Sequence, residues 1–177
     1  MNFSENLING LNVVLNESSI RELILNEKDN HLICKLELLR ENGTEKPNYA
    51  NFRLENIKRY IAAYRTDIQN ENKILKFNPN QISVHLQNFI NRDIYGWEFF
   101  NVENSNFNFS ELSFEYLKDD EFEKFNSLEL FQESFNLDLE IKIWFENFRI
   151  FDESNKEIDI DELIKKQDNI WNSMFKK

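Results

Sequence analysis

The residues able to do chemistry are few and scattered. The chain has two histidines, His31 and His85, and one cysteine, Cys34. A zinc site needs about four ligands brought together, and these three residues stand far apart without HExxH, CxxC or an EF-hand loop around them. No GxSxG elbow supplies a serine nucleophile. Gly10, Gly43 and Gly96 are the only glycines, too dispersed to form a phosphate-cradling loop. Carboxylates are the one abundant resource, at 32 Asp and Glu, and that abundance makes any single pair uninformative. The sequence therefore predicts a protein that is not an enzyme, with no catalytic residues, no metal and no cofactor. Cys34 reads as a small core residue of a strand, since no basic cluster sits beside it to lower its pKa. His31 is expected at an exposed hairpin edge. His85 is expected on a strand, facing opposite to Val84 and Leu86.

Charge says more. The 177 residues carry 21 Lys and Arg against 32 Asp and Glu, a net charge of −11, which argues against a nucleic-acid-binding surface. The densest feature is Asp119-Asp120-Glu121-Phe122-Glu123, flanked by Tyr116, Leu117 and Phe125. Its plainer reading is a solvated loop. Its functional reading is an acidic contact patch with aromatic anchors, where charge steers encounter and aromatic side chains hold the complex. Trp97 and Trp144 add to that case if exposed. Alternation places Trp144 with Asp138, Glu140 and Lys142, either open to a partner or beneath a helix or second sheet. The candidate partner-binding residues are thus Asp119, Asp120, Glu121, Glu123, Tyr116, Trp144, Asp138 and Glu140, with Glu146 extending the strand face.

The elements that must carry these residues are mostly strands. Ile20–Leu25 and His31–Leu39, joined by polar Asn26–Asn30, read as a hairpin in which Leu32, Cys34, Leu36 and Leu38 face the core. Asn42-Gly43 and Pro47-Asn48 mark an excursion before the alternating run Phe52–Ile57. Gln81–Leu86, Ile94–Phe100, Leu112–Tyr116 and Phe148–Phe151 read as further strands, and Arg59–Arg65 as a strand or a short helix, with Tyr60, Ile61 and Tyr64 favouring the strand. The clearest is Leu137–Phe145, with Leu137, Leu139, Ile141, Ile143 and Phe145 on one face. The period then changes: Ile160, Leu163, Ile164, Gln167, Trp171, Met174 and Phe175 follow one helical face. Asp159 and Glu162 stand as N-cap and N3 residue, and Lys176-Lys177 close the helix as its dipole prefers. The expectation is an α+β fold, mostly antiparallel β, sandwich-like or strongly curved, with one long amphipathic C-terminal helix docked on a sheet. Leu139, Ile141, Ile143, Trp171 and Phe175 are expected to be buried. No Pro-, Gly- or Ser-rich linker divides the chain, so residues 1–177 read as a single domain. A faint echo links Asn51-Phe52-Arg53-Leu54 to Asn147-Phe148-Arg149-Ile150.

The runs Ser18–Leu25, Leu32–Leu38 and Phe52–Ile57, a strand, its hairpin partner and a strand ending near F-x-x-x-x-[IV], resemble the opening of some bacterial immunity proteins of contact-dependent inhibition and other polymorphic toxin systems. The likeness covers about the first third of the chain and rests on hydrophobic alternation. It implies tight binding to a cognate toxin domain, often a nuclease, and no cofactor. The charge balance agrees: a nuclease needs a basic groove for phosphates, and an acidic partner can fill it. The alternative is a β-sandwich module holding a small ligand or carbohydrate on exposed aromatics. Met1–Asn6 lacks a positively charged region and an apolar run, and no apolar stretch reaches the ~18 residues of a membrane span. A cytoplasmic location, without nucleic-acid or membrane partners, is the expectation.

Overall fold

A computed structural model describes residues 3–41, 43–69, 71–102 and 111–175. Asn42 of the Asn42-Gly43 signal and the Lys176-Lys177 pair lie outside these residues. The described residues form two antiparallel sheets and three α-helices, the α+β class expected from the sequence. The first sheet has the order β1-β2-β3-β9, from Ser19–Asn26, His31–Leu38, Asn48–Glu55 and Asn147–Phe151. The second has the order β5-β4-β8-β7, from Lys73–Ile74, Arg59–Thr66, Leu137–Phe145 and Asn126–Ser134, and β6 (Phe114–Leu117) also pairs with β4.

The two sheets share two bent strands. β3 runs into β4 and β8 runs into β9, and these arms pair with each other on both sides of the bend. Arg59 faces Trp144 and Glu55 faces Asn147, so residues 56–58 oppose only Phe145 and Glu146. One strand thus carries an extra residue, the signature of a bulge that re-aims a ribbon. Asn56 absorbs the turn at φ 53°. The corner is tied by Lys58 N–H to the Trp144 carbonyl (2.8 Å) and Glu146 N–H to the Glu55 carbonyl (3.1 Å). The echoed tetrapeptides lie on this ribbon and pair with one another, Arg53 opposite Arg149. Their shared pattern sends Phe52, Leu54 and Ile150 into the core.

One apolar core draws on both sheets. Leu32, Cys34, Leu36, Phe52 and Leu54 meet Tyr60, Leu139, Ile141, Ile143 and Phe145, all fully buried. Helix α1 (Glu5–Leu15) adds Leu11, Val14 and Leu15. Ser4 caps it, its Oγ accepting the Leu7 N–H. This helix escaped the sequence reading although Leu7, Leu11, Val14 and Leu15 have helical spacing. Gly10 and three asparagines weaken the local propensity, and tertiary packing overrides it. Helix α3 (Ile160–Phe175) begins where expected, Asp159 Oδ1 accepting the Glu162 N–H at 3.0 Å. Its main partner, however, is α1 rather than a sheet. At the crossing a Cβ on Gly10 would lie 2.6 Å from Ile164 Cδ1. Docking on a helix narrows the buried stripe to Leu163, Gln167 and Ile170, and Trp171 is only half-buried while Phe175 is 52% exposed.

Two expected strands are not strands. Gln81–Leu86 lies in a 3₁₀ turn (Pro79–Gln81) running into α2 (Ile82–Leu86), with Ile82 and Leu86 buried four residues apart. Pro79 at the first helical position and the reciprocal Asn78–Gln81 cap outweigh the alternation. His85 therefore packs on aromatics, and Val84 is exposed. Ile94–Phe100 touches β7 only through the bridges Ile94–Gln132 and Phe100–Leu128. Gly96, at φ 140°, breaks the ladder between them. The edge of β7 is nonetheless covered, with Tyr95 N–H on the Phe131 carbonyl and Glu129 N–H on the Phe99 carbonyl, both at 2.8 Å. β7 itself was missed because Gln132 interrupts its inward row of Leu128 and Leu130.

Candidate functional site

The eight predicted contact residues do not form one face. Asp138 and Trp144 stand six residues apart on β8, about 20 Å at the ~3.4 Å rise of a strand. At the Asp138 end, Arg65 holds Asp138 (3.0 Å) and Glu140 (2.7 Å), with little of the guanidinium exposed. Burial lifts the Asp138 carboxyl above its ordinary range, Arg65 pulls it back and Glu133 pushes it up again. These carboxylates are committed to a local ion-pair triad.

At the other end, the segment 118–125 folds over the sheet through a 3₁₀ turn at Phe122–Lys124. Phe122 covers Trp144 edge-to-face at 4.8 Å, and the Arg59 guanidinium lies 4.5 Å from the Phe122 ring. Trp144 is thus 6% exposed, roofed over together with Ile61 and Ala63. Asp119 Oδ1 accepts the Glu121 N–H at 2.9 Å, and its other oxygen is 3.9 Å from Lys58. Glu121 pairs with Lys124 at 2.8 Å, while Asp120 and Glu123 are exposed. Tyr116 is half-buried against the core, its hydroxyl 3.4 Å from Asn30 Oδ1. Nearby cations therefore offset a large part of this segment's charge.

His31 stands at the β1–β2 hairpin as expected but is buried, and His85 lies on a helix rather than a strand. His31 is 8% exposed, not at an open edge, and its Nδ1 has no hydrogen-bond partner. Burial, then Arg53, lowers its pKa. His85 stacks on Phe77 at 4.3 Å and on Tyr64 at 5.1 Å, and burial lowers its pKa as well. Cys34 is enclosed, and burial pushes its thiol far up. Among the described residues no three or more His, Cys, Asp and Glu side chains are placed to hold a metal. Among them, too, no helix is long and apolar enough to cross a membrane.

The open surface lies elsewhere. Between buried Ile94 and Phe99, residues 95–98 project into solvent, with Tyr95 61% and Trp97 72% exposed. Trp97 meets Trp171 edge-to-face at 6.2 Å, and Trp171 meets Phe175 at 4.4 Å. A loop and the end of a helix thus build one aromatic corner. Asn12 anchors the loop, its buried Oδ1 accepting the Phe99 and Phe100 N–H groups at 3.0 and 3.4 Å. Beside the corner runs a trough of about 360 Å³, walled by Asn16, Glu17, Asp93, Tyr95 and Trp97. Two further hollows join it at Asn91 and reach Arg21, Glu37 and Tyr49. Arg21 and Glu37 pair there at 2.5 Å, and Asp93 accepts from Ser19 at 3.2 Å. The sequence signal for this surface was Gly96 between two aromatics, a break that the strand-forming composition masked. The chain matches no protein-family model, no curated protein and no solved structure.

Proposed function

We propose that this protein is a non-enzymatic binding protein of the immunity type, which neutralises a basic toxin domain by covering the surface where the toxin meets its substrate. The observation that carries the reading is the aromatic corner of Trp97, Trp171 and Phe175. Large aromatics left in solvent are the side chains that anchor protein interfaces, each able to supply ~2 kcal/mol or more once desolvated. Glu17 and Asp93 line the adjoining trough and Glu98 follows Trp97, so acids flank the anchors. A net charge of −11 accelerates encounter with a basic domain. The contact centre moves from the segment around Asp119, where Lys58 and Lys124 offset two of the acids, to this corner.

The test is titration calorimetry with the toxin domain encoded beside this gene, together with growth rescue of cells expressing that toxin. A saturating complex that Trp97→Ala weakens about 30-fold or more, at unchanged melting temperature, supports the reading. An unmodified protein that neither binds nor rescues would sink it.

A second reading draws on the same side chain. Trp97 walls a mostly polar trough, an arrangement suited to stacking a sugar ring, and this favours a saccharide-binding module. Oligosaccharide titrations followed by tryptophan fluorescence decide it: saturable quenching lost in Trp97→Ala supports the module, and a silent panel removes it.

A further inference from the structure

The chain is strongly acidic, yet one hollow gathers cations. It holds about 200 Å³ between the loop joining β2 to β3 and α3. Arg40, Lys46 and Lys166 line it, with Thr44, Asn48 and the single acid Glu41. We propose that this hollow binds a phosphate group in its dianionic form.

Three cations against one lining carboxylate leave a local excess of about two positive charges. In a protein of −11, an uncompensated cation has many carboxylates to choose from. Arg40 is the only one of the three with such a contact, 3.9 Å from Glu37, and that carboxylate is held more closely by Arg21 at 2.5 Å. Among the described residues, neither Lys46 nor Lys166 has a carboxylate within ion-pair distance. Arg40 is positioned from behind, its Nη1 donating to the Glu45 carbonyl at 3.3 Å. The groups fit the charge and shape of phosphate: a planar guanidinium fork, two ammonium point charges and the Thr44 hydroxyl as a neutral donor. A monoanionic carboxylate would leave part of this charge unanswered. Ile170 forms an apolar side, room for the organic remainder of a phosphate ester. Negative charge more than about 10 Å away counts for little here, because at ~0.1 M salt it is screened.

The experiment is titration of the full chain with inorganic phosphate and, separately, with phosphoserine, at constant ionic strength and at pH 8. Saturable binding is expected, about tenfold weaker in Lys46→Gln or Lys166→Gln and lost in the double variant. The double variant to arginine retains binding, and Trp97→Ala leaves it unchanged, which separates this site from the aromatic corner. Affinity for phosphoserine falls as pH drops through the second ionisation of its phosphate near ~6. Tighter binding of phosphoserine identifies an ester ligand, and tighter binding of inorganic phosphate a free anion. No saturable binding of either up to about 10 mM, well past the weakest useful affinity of ~1 mM, overturns the proposal. So does a glutamine double variant that binds like the parent.

Discussion

Gly10→Ala tests how rigidly the two longer helices are pressed together. In an exposed helix interior the change would stabilise by about 0.8–1 kcal/mol, the propensity gap between Gly and Ala. Here the new methyl would sit 2.6 Å from Ile164 Cδ1, 2.8 Å from Cγ2 and 3.1 Å from Cγ1. Carbon contacts relax only near ~3.5–4.0 Å, so Cγ2 must retreat by about 0.7 Å or more. Cδ1 can swing away about χ2. Cγ1 and Cγ2 cannot, because a β-branched side chain in a helix is held near one χ1 rotamer. Either α3 shifts or Ile164 is strained, at the ~1–3 kcal/mol typical of overpacking. Subtracting the propensity gain leaves a net loss of about 1 kcal/mol, or ~2–4 °C in melting temperature for a chain of this length. Urea unfolding at equilibrium measures it, with the double variant Gly10→Ala/Ile164→Ala as the decisive arm. Removing the Ile164 branches should release the clash, so the alanine at position 10 becomes stabilising in that background and the cycle gives a coupling of about 2 kcal/mol. A Gly10→Ala variant more stable than the parent would refute the close crossing of α1 on α3.

Other expectations follow from the same geometry. Burial depresses both histidines, so the unfolded chain binds protons more readily than the folded one. Their contribution to stability is full above the unfolded pKa near 6.5 and is lost as pH falls through the lower folded values. Urea midpoints measured from pH 7.5 to 5 should drop, and the drop should shrink in His85→Phe; a pH-independent parent would contradict the burial argument. Phe122→Ala should uncover Trp144 and shift its emission to the red in a Trp97→Phe/Trp171→Phe background, whereas an unchanged spectrum would mean another roof protects it. Neutralising Asp119, Asp120, Glu121 and Glu123 together should slow association with a basic partner less than Trp97→Ala weakens binding, as read by stopped-flow rates at low and high salt. Truncation before Asp159 should bare the apolar side of α1 and cause aggregation, and a soluble, cooperatively melting product would contradict it.

The sequence was most readable where a face is buried against something regular. The hairpin of β1 and β2, the run Leu137–Phe145 and the start of α3 lie where the pattern placed them, because one-sided burial forces strict alternation or helical spacing. It misled where a short segment took its conformation from its ends. Gln81–Leu86 alternates like a strand, but Pro79 and the Asn78–Gln81 cap start a helix there. Tyr95-Gly96-Trp97 has strand-forming aromatics, but one glycine turns the chain outward. Turns were harder still, since with three glycines in all, the described chain uses asparagine for seven of its nine non-glycine positive-φ positions. Asn30, Asn56 and Asn91 look like any other polar residue until the backbone is seen. The candidate site was least readable, because exposure of an aromatic depends on what packs over it. Trp144 and Trp97 are chemically alike, yet Phe122 roofs the first, and among the described residues nothing comparable covers the second.

The bent ribbon also governs how this chain must fold. β3 and β4 find β9 and β8 across 71 to 100 residues of sequence, and closing a loop that long is entropically costly before any contact rewards it. The local hairpins β1–β2, β2–β3 and β7–β8 need only short closures and can form in microseconds. The corner is then the late, rate-limiting event, with folding in the millisecond-to-second range of high-contact-order β proteins. Until it closes, the inner faces of both sheets are open to water and to other chains. During synthesis the first three strands leave the ribosome well before β8 and β9 exist, so the nascent protein spends several seconds with half a core exposed, at ~5–20 residues per second. Substitutions at Asn56 or Lys58 should therefore act on refolding rate and yield more than on the lifetime of the finished fold.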